Sequence, residues 1–221
     1  RLLSIKGDYE EGYFKDGVIE GHGVFHCKNE GYTYKGNFKN NKFNGHGEQF
    51  FDNSTKFDGL FLDGYKNGEG ELTFSDGSFY KGNFENNVFQ GKGSLKFKDG
   101  RTYKVEWKNN TMDGKGEFVW NKETKYYGNY KNNVRDGNGI YYFGPNYYEG
   151  NWVNNMPHGL GTLCNDGCKI EGNFRFGKLT KIITIDGVNK ILTQIITQQE
   201  SKLKSKEKSS NEASGHQYKF R

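Results

Sequence analysis

The stretch YKGNFKNN, residues 34–41, returns as YKGNFENN at 80–87, YKVEWKNN at 103–110, YYGNYKNN at 126–133 and YEGNWVNN at 148–155. Its alternation decides the fold. Tyr34, Gly36 and Phe38 fall on one face of an extended strand, and Lys35, Asn37 and Lys39 on the other. The segment NNKFN that follows carries turn-forming asparagines. Gly45, Gly47, Gln49 and Phe51 then alternate with His46, Glu48 and Phe50, which predicts a second strand. One copy of the phrase, with its continuation, reads as one β-hairpin.

Counting outward from Gly36, the equivalent positions are Gly12, Gly36, Gly59, Gly82, Val105, Gly128, Gly150 and Gly172, spaced by 24, 23 and 22 residues. Two residues after each stands a ring: Phe14, Phe38, Phe61, Phe84, Trp107, Tyr130, Trp152 and Phe174. Glycine pairs follow at fixed distance, from Gly21 and Gly23 to Gly159 and Gly161, and Asp-Gly turns at Asp76-Gly77, Asp99-Gly100 and Asp166-Gly167 join successive units. A period of this size marks a repeat architecture, in which each unit buries its apolar face only against its neighbours. The expected fold is all-β: an elongated, twisted antiparallel meander of about eight hairpins. A ring on one strand is expected to lie flat over a glycine on the next.

Composition agrees. The 221 residues are 32% hydrophobic but 16% aromatic, and the mean hydropathy is −0.98. Such a chain buries rings on a sheet more readily than leucines between helices. No apolar run long enough to span a bilayer occurs and the start RLLSIKGD lacks a signal-peptide core, so the chain reads as soluble and intracellular. It opens on Arg1, which leaves room for an upstream domain. Cys27, Cys164 and Cys168 are an odd set, read as reduced thiols.

The pattern Y-x-G-x-[FW], then G-x-G, then often D-G, at a spacing near 23, resembles the MORN (membrane occupation and recognition nexus) repeat. The resemblance spans residues 8–177 as about seven full units and a terminal half. Val105 replaces the first glycine of the fifth unit, Glu10 and Ile170 replace the leading ring at the two ends, and Gln49 interrupts the apolar face. The resemblance implies a non-catalytic scaffold in a cytoskeletal assembly, as in radial spoke heads of cilia and protist basal complexes. It implies, alternatively, a membrane or phosphoinositide-targeting module, or the regulatory arm of an enzyme.

After the array, KIITIDG (181–187) continues strand-like, and Val188, Ile191, Leu192, Ile195 and Gln199 follow helical spacing, so residues 178–200 are expected to form a strand and a short helical cap. Residues 201–221 read as a flexible tail, whose six basic and two acidic residues give it +4 of the total +5.

No cofactor, metal site or catalytic residue is expected. The residue three beyond each G-x-G is His26, Phe50, Thr73, Lys96, Val119, Tyr142 or Cys164, never a third glycine. His22 and His26 fall on the face opposite Cys27, and alternation separates Cys164 from Cys168. The candidate binding residues are of two kinds. Lys81, Lys92, Lys104 and Lys115 occupy equivalent slots on four successive strands. Aligned like charges destabilise a sheet, so they form either a solvated face or a docking patch for an acidic partner or anionic lipid. Tyr80, Tyr103, Trp107, Tyr126, Tyr148 and Trp152 lie on the opposite face, either as an open trough for a partner or stacked on one another. The expected partners are other protein subunits, with a homo-oligomer possible, anionic lipid second and nucleic acid excluded. The expected location is the cytoplasm, at the cytoskeleton of a cilium or axoneme.

Overall fold

The structure is a computed structural model that describes residues 2–3 and 7–187. Every regular element among the described residues is a β-strand. The chain forms two compact units, one ending at Trp120 and one beginning at Asn121. The first contains β1 (Leu2–Leu3), β2 (Tyr9–Lys15), β3 (Val18–Cys27), β4 (Tyr32–Lys39), β5 (Lys42–Phe51), β6 (Lys56–Leu62), β7 (Tyr65–Thr73), β8 (Phe79–Glu85), β9 (Val88–Lys96), β10 (Thr102–Lys108) and β11 (Thr111–Val119). The second contains β12 (Thr124–Lys131), β13 (Val134–Phe143), β14 (Asn146–Val153), β15 (Met156–Asn165), β16 (Cys168–Arg175) and β17 (Lys178–Asp186). Within each unit consecutive strands pair antiparallel, as the expected meander requires. The expected strand after the array is β17; the expected helix over Val188–Gln199 and the tail lie outside the described residues.

Paired asparagines close five of the hairpins, and Asp16-Gly17, Asp63-Gly64 and Phe176-Gly177 close the others. Asn40 and Asn41 have φ of 50° and 63°, and Asn86-Asn87, Asn109-Asn110, Asn132-Asn133 and Asn154-Asn155 repeat the pair of positive values. Two left-handed residues in succession make the type I′ turn, whose twist matches that of the strands, and asparagine tolerates this region better than other side-chain-bearing residues.

The second asparagine also stitches hairpins together. Asn87 N–H donates to the Lys66 carbonyl at 3.0 Å, and its Oδ1 accepts from Lys66 N–H at 2.8 Å. Asn41 grips Ile19, Asn110 grips Phe89 and Asn155 grips Arg135 in the same way. Asn87→Ala removes one arm of this grip and strains the turn, so it should cost about 2 kcal/mol in urea denaturation. Asn87→Gly keeps the turn and should cost about half as much. Equal losses would mean that turn strain contributes nothing, and no loss in Asn87→Gly would mean that the side-chain bond contributes nothing.

The two glycines of each pair have different jobs. Gly45, Gly91 and Gly137 have φ of +79°, +68° and +95° and lie where the strand pairing slips by a bulge, between Gly36 and Phe38, Gly82 and Phe84, and Gly128 and Tyr130. Gly47, Gly93 and Gly139 form the floor beneath a ring, as described next.

Candidate functional site

One sheet face is consumed by its own rings. Tyr34, Tyr80, Tyr126 and Tyr148 are fully buried, and Trp152 and Trp107 are 2% and 7% exposed. Each of these tyrosines lies over the glycine floor, and a Cβ at Gly93 would stand 2.2 Å from the Tyr80 hydroxyl oxygen. The hydroxyl reaches past the glycine to donate to a carbonyl three residues on: Tyr34 to Asn37 at 2.8 Å, Tyr80 to Asn83 at 3.0 Å, Tyr126 to Asn129 at 3.1 Å and Tyr148 to Asn151 at 3.2 Å. Burial pushes the Tyr80 hydroxyl up to about 12 and raises Tyr34, Tyr126 and Tyr148 further. The rings meet edge to face in a ladder: Phe38, Tyr34, Phe61, Phe57, Phe84, Tyr80 and Trp107 in the first unit, Tyr130, Tyr126, Trp152, Tyr148 and Phe174 in the second, with centroids 4.9–5.6 Å apart.

A residue seven after the first glycine covers the ring from above. Phe43 stacks on Tyr34 at 3.8 Å and Phe89 on Tyr80 at 3.7 Å, and Arg135 lays its guanidinium 4.4 Å from the Trp152 ring and 5.5 Å from Tyr126. In the third hairpin this slot holds Lys66. Its Nζ donates to Gln49 Oε1 at 2.7 Å and lies 5.1 Å from the Phe57 ring, and burial pushes its pKa down to about 8. Gln49, which interrupts the apolar pattern, is 7% exposed and is satisfied by this lysine.

An open trough is therefore not what the structure shows: Tyr80, Trp107, Tyr126, Tyr148 and Trp152 are core, stacked on one another and capped. Tyr103 differs. Val105 fills the space over Gly116 that a tyrosine takes elsewhere, and Tyr103 is half-buried, stacked on Phe118 at 3.8 Å.

The opposite, outer face carries the charge. Lys81, Lys92, Lys104 and Lys115 are exposed there and, with Phe79 and Glu106, line one shallow concavity. They do not align as like charges, which corrects the expectation of equivalent slots. Because Gly82 pairs with Gly93, and Val105 with both Gly93 and Gly116, antiparallel reversal sets Lys81 and Lys104 opposite Ser94, Lys104 also opposite Glu117, and Lys92 opposite Glu106. Lys81 further meets Glu71 at 3.8 Å. The stagger removes most of the repulsion that the sequence suggested. Residues 78–115 hold eight basic and four acidic residues, net +4, whereas 44–77 hold two and seven, net −5.

His22 and His26 lie with the outer-face residues, where His26 Nδ1 is 3.0 Å from Thr33 Oγ1. Among the described residues no His, Cys, Asp and Glu cluster of metal-binding geometry occurs, and no helix is long and apolar enough to cross a membrane.

A family model described as MORN repeat matches residues 11–32, 34–56, 57–79, 80–100, 106–125, 126–146 and 148–169. No curated protein matches the chain.

Proposed function

The chain belongs to the MORN-repeat family, and from that premise we propose that it is a non-catalytic scaffold, an interaction subunit of a multiprotein cytoskeletal assembly of the ciliary axoneme. Repeats of this family are in general protein- and membrane-interaction modules. The observation that supports the scaffold reading is the division of labour between faces. The ring face is spent on packing, so the outer face, with its shallow concavities and its change of charge from −5 to +4 between adjacent hairpins, is the surface left for partners. A single layer with shallow depressions suits docking of other chains more than enclosure of a small substrate. Other protein subunits, including a second copy of the chain, are the partners proposed. Proximity labelling from the tagged protein in its own cell should recover axonemal or other cytoskeletal proteins; neighbours confined to other compartments would refute the reading.

The membrane reading has one observation in its favour, the four lysines around one depression. Each lysine near an anionic surface contributes about 1 kcal/mol. If lipid is the ligand, the protein floats with vesicles rich in phosphatidylserine and not with neutral ones, and Lys92→Glu with Lys104→Glu abolishes flotation. Failure to float with either vesicle removes this alternative.

A further inference from the structure

On the outer face of the third hairpin, β6–β7, Leu60, Leu62 and Tyr65 are 41%, 51% and 51% exposed. The sister hairpins serve as an internal alignment. The slot of Leu60 holds Asn37, Asn83, Glu106, Asn129, Asn151 and Asn173, and the slot of Leu62 holds Lys15, Lys39, Glu85, Lys108, Lys131 and Arg175. Tyr13 and Val153 depart from these polar choices singly, in the first and seventh hairpins; the third alone departs at both. Leu62 faces Tyr65 directly across the hairpin, and Leu60 lies against Gly68, so the three make one contiguous strip. The core lies on the other face and does not use them.

Carboxylates border this strip. Glu48, Asp58 and Glu71 stand directly opposite one another on β5, β6 and β7, an arrangement that costs stability unless cations answer it. Side chains of the sheet answer it: Lys56 lies 2.5 Å from Glu48 and 3.6 Å from Asp58, His46 3.0 Å from Asp58, and Lys81 3.8 Å from Glu71, while Glu69 and Asp63 are exposed. Leu60, Glu69 and Glu71 line one concavity of the outer face, with Lys56, Lys81 and Lys92 also on its wall.

We propose that this groove docks a peptide segment of a partner protein that carries two or three aliphatic side chains followed by lysines or arginines. The aliphatic side chains cover Leu60, Leu62 and Tyr65, removing apolar surface from water. The peptide's basic half lies along Glu69, an exposed carboxylate lining the same concavity as Leu60, which sets the direction of the peptide. The proposal rests on the interaction-subunit reading and names the partner's chemistry.

The test is fluorescence anisotropy of the whole chain with a labelled probe peptide bearing leucines in its first half and lysines in its second. Saturable binding is expected, weakening as salt rises. Leu60→Asn with Leu62→Lys, the residues the second hairpin carries at these slots, should raise Kd at least about tenfold while leaving the melting curve in place. Tyr65→Ser gives an independent loss, and Glu69→Lys should weaken binding and flatten its salt dependence. Lys39→Ala in the second hairpin should change nothing. Equal binding by the wild type and the double variant overturns the proposal, as does equal binding of a control peptide whose leucines are replaced by asparagine. If the probe fails while proximity labelling still recovers cytoskeletal neighbours, the docking site falls and the interaction-subunit reading stands.

Discussion

Gly93→Val should destabilise the protein by about 3 kcal/mol, the cost of expelling a buried ring. A Cβ at Gly93 would lie 2.2 Å from the Tyr80 hydroxyl oxygen and 2.5 Å from two ring carbons. The ring has no room to yield, being stacked on Phe89 at 3.7 Å and edged by Phe84 and Trp107. The fifth hairpin shows a related outcome: with valine at 105, the slot of Gly82 that stands directly opposite Gly93, Tyr103 has left the glycine floor and stands half-buried on Phe118. Gly93→Val should drive Tyr80 along the same route, breaking its 3.0 Å bond to the Asn83 carbonyl. A double-mutant cycle isolates the cause. In a Tyr80→Ala background the valine has space, so the two losses should fall short of additivity by at least about 1.5 kcal/mol. Additive losses would show that the glycine is needed for its backbone and not for the ring.

The largest gain should come from the contact between the second and third hairpins. Replacing Gln49 and Lys66 together, by leucine and phenylalanine, should stabilise the protein by about 1–2 kcal/mol. Sister hairpins hold Leu72, Leu95 or Leu163 at the slot of Gln49 and Phe43 or Phe89 at the slot of Lys66, and a well-packed apolar pair avoids desolvating a cation. Each single change should destabilise. Gln49→Leu deprives the lysine of its acceptor, and Lys66→Phe leaves a buried amide without its donor.

The pH dependence follows in sign. The Lys66 pKa in the folded protein is lowered to about 8 from an ordinary 10.5. From about pH 8 upward the unfolded chain therefore holds a proton that the folded one has released, and stability rises with pH. Solvent near the amine limits the gain to about 1 kcal/mol. Above about pH 10 the slope reverses, because the unfolded tyrosines ionise while Tyr80, held near 12, and the more strongly raised Tyr34, Tyr126 and Tyr148 do not. Urea midpoints across this range should show the rise in the wild type and lose it in the double variant, with the alkaline fall intact in both. A rise that persists in the double variant would place its origin elsewhere.

The hairpins and the ring over glycine were legible because Tyr34, Gly36 and Phe38 announce them by chemical type at period two. The layer above the rings was not. Its slot holds Ile19, Phe43, Lys66, Phe89, Met112, Arg135, Pro157 and Leu179, which share a place in space but no property that a pattern could detect. The asparagine grip was hidden for another reason: it joins Asn87 to Lys66, and such a bond between separate hairpins leaves no local signature. The lysines were assigned to one face correctly, but their stagger depends on which glycines pair, and that is a property of register. Leu60 and Leu62 could have been found from the sequence by comparing outer-face slots between hairpins, a step that the regularity of the buried face had obscured.

Hydroxyl-radical footprinting of the protein, alone and in the assembly proposed for it, tests the division of labour between the two faces most directly. From their exposure Leu60, Leu62 and Tyr65 should react in the free protein, and from the docking proposal they should be protected in the assembly, while Tyr34, Tyr80, Tyr126 and Tyr148 stay unreactive in both. Tyrosines that react in the free chain and become protected on assembly would show instead that the rings are the docking surface, contradicting the account.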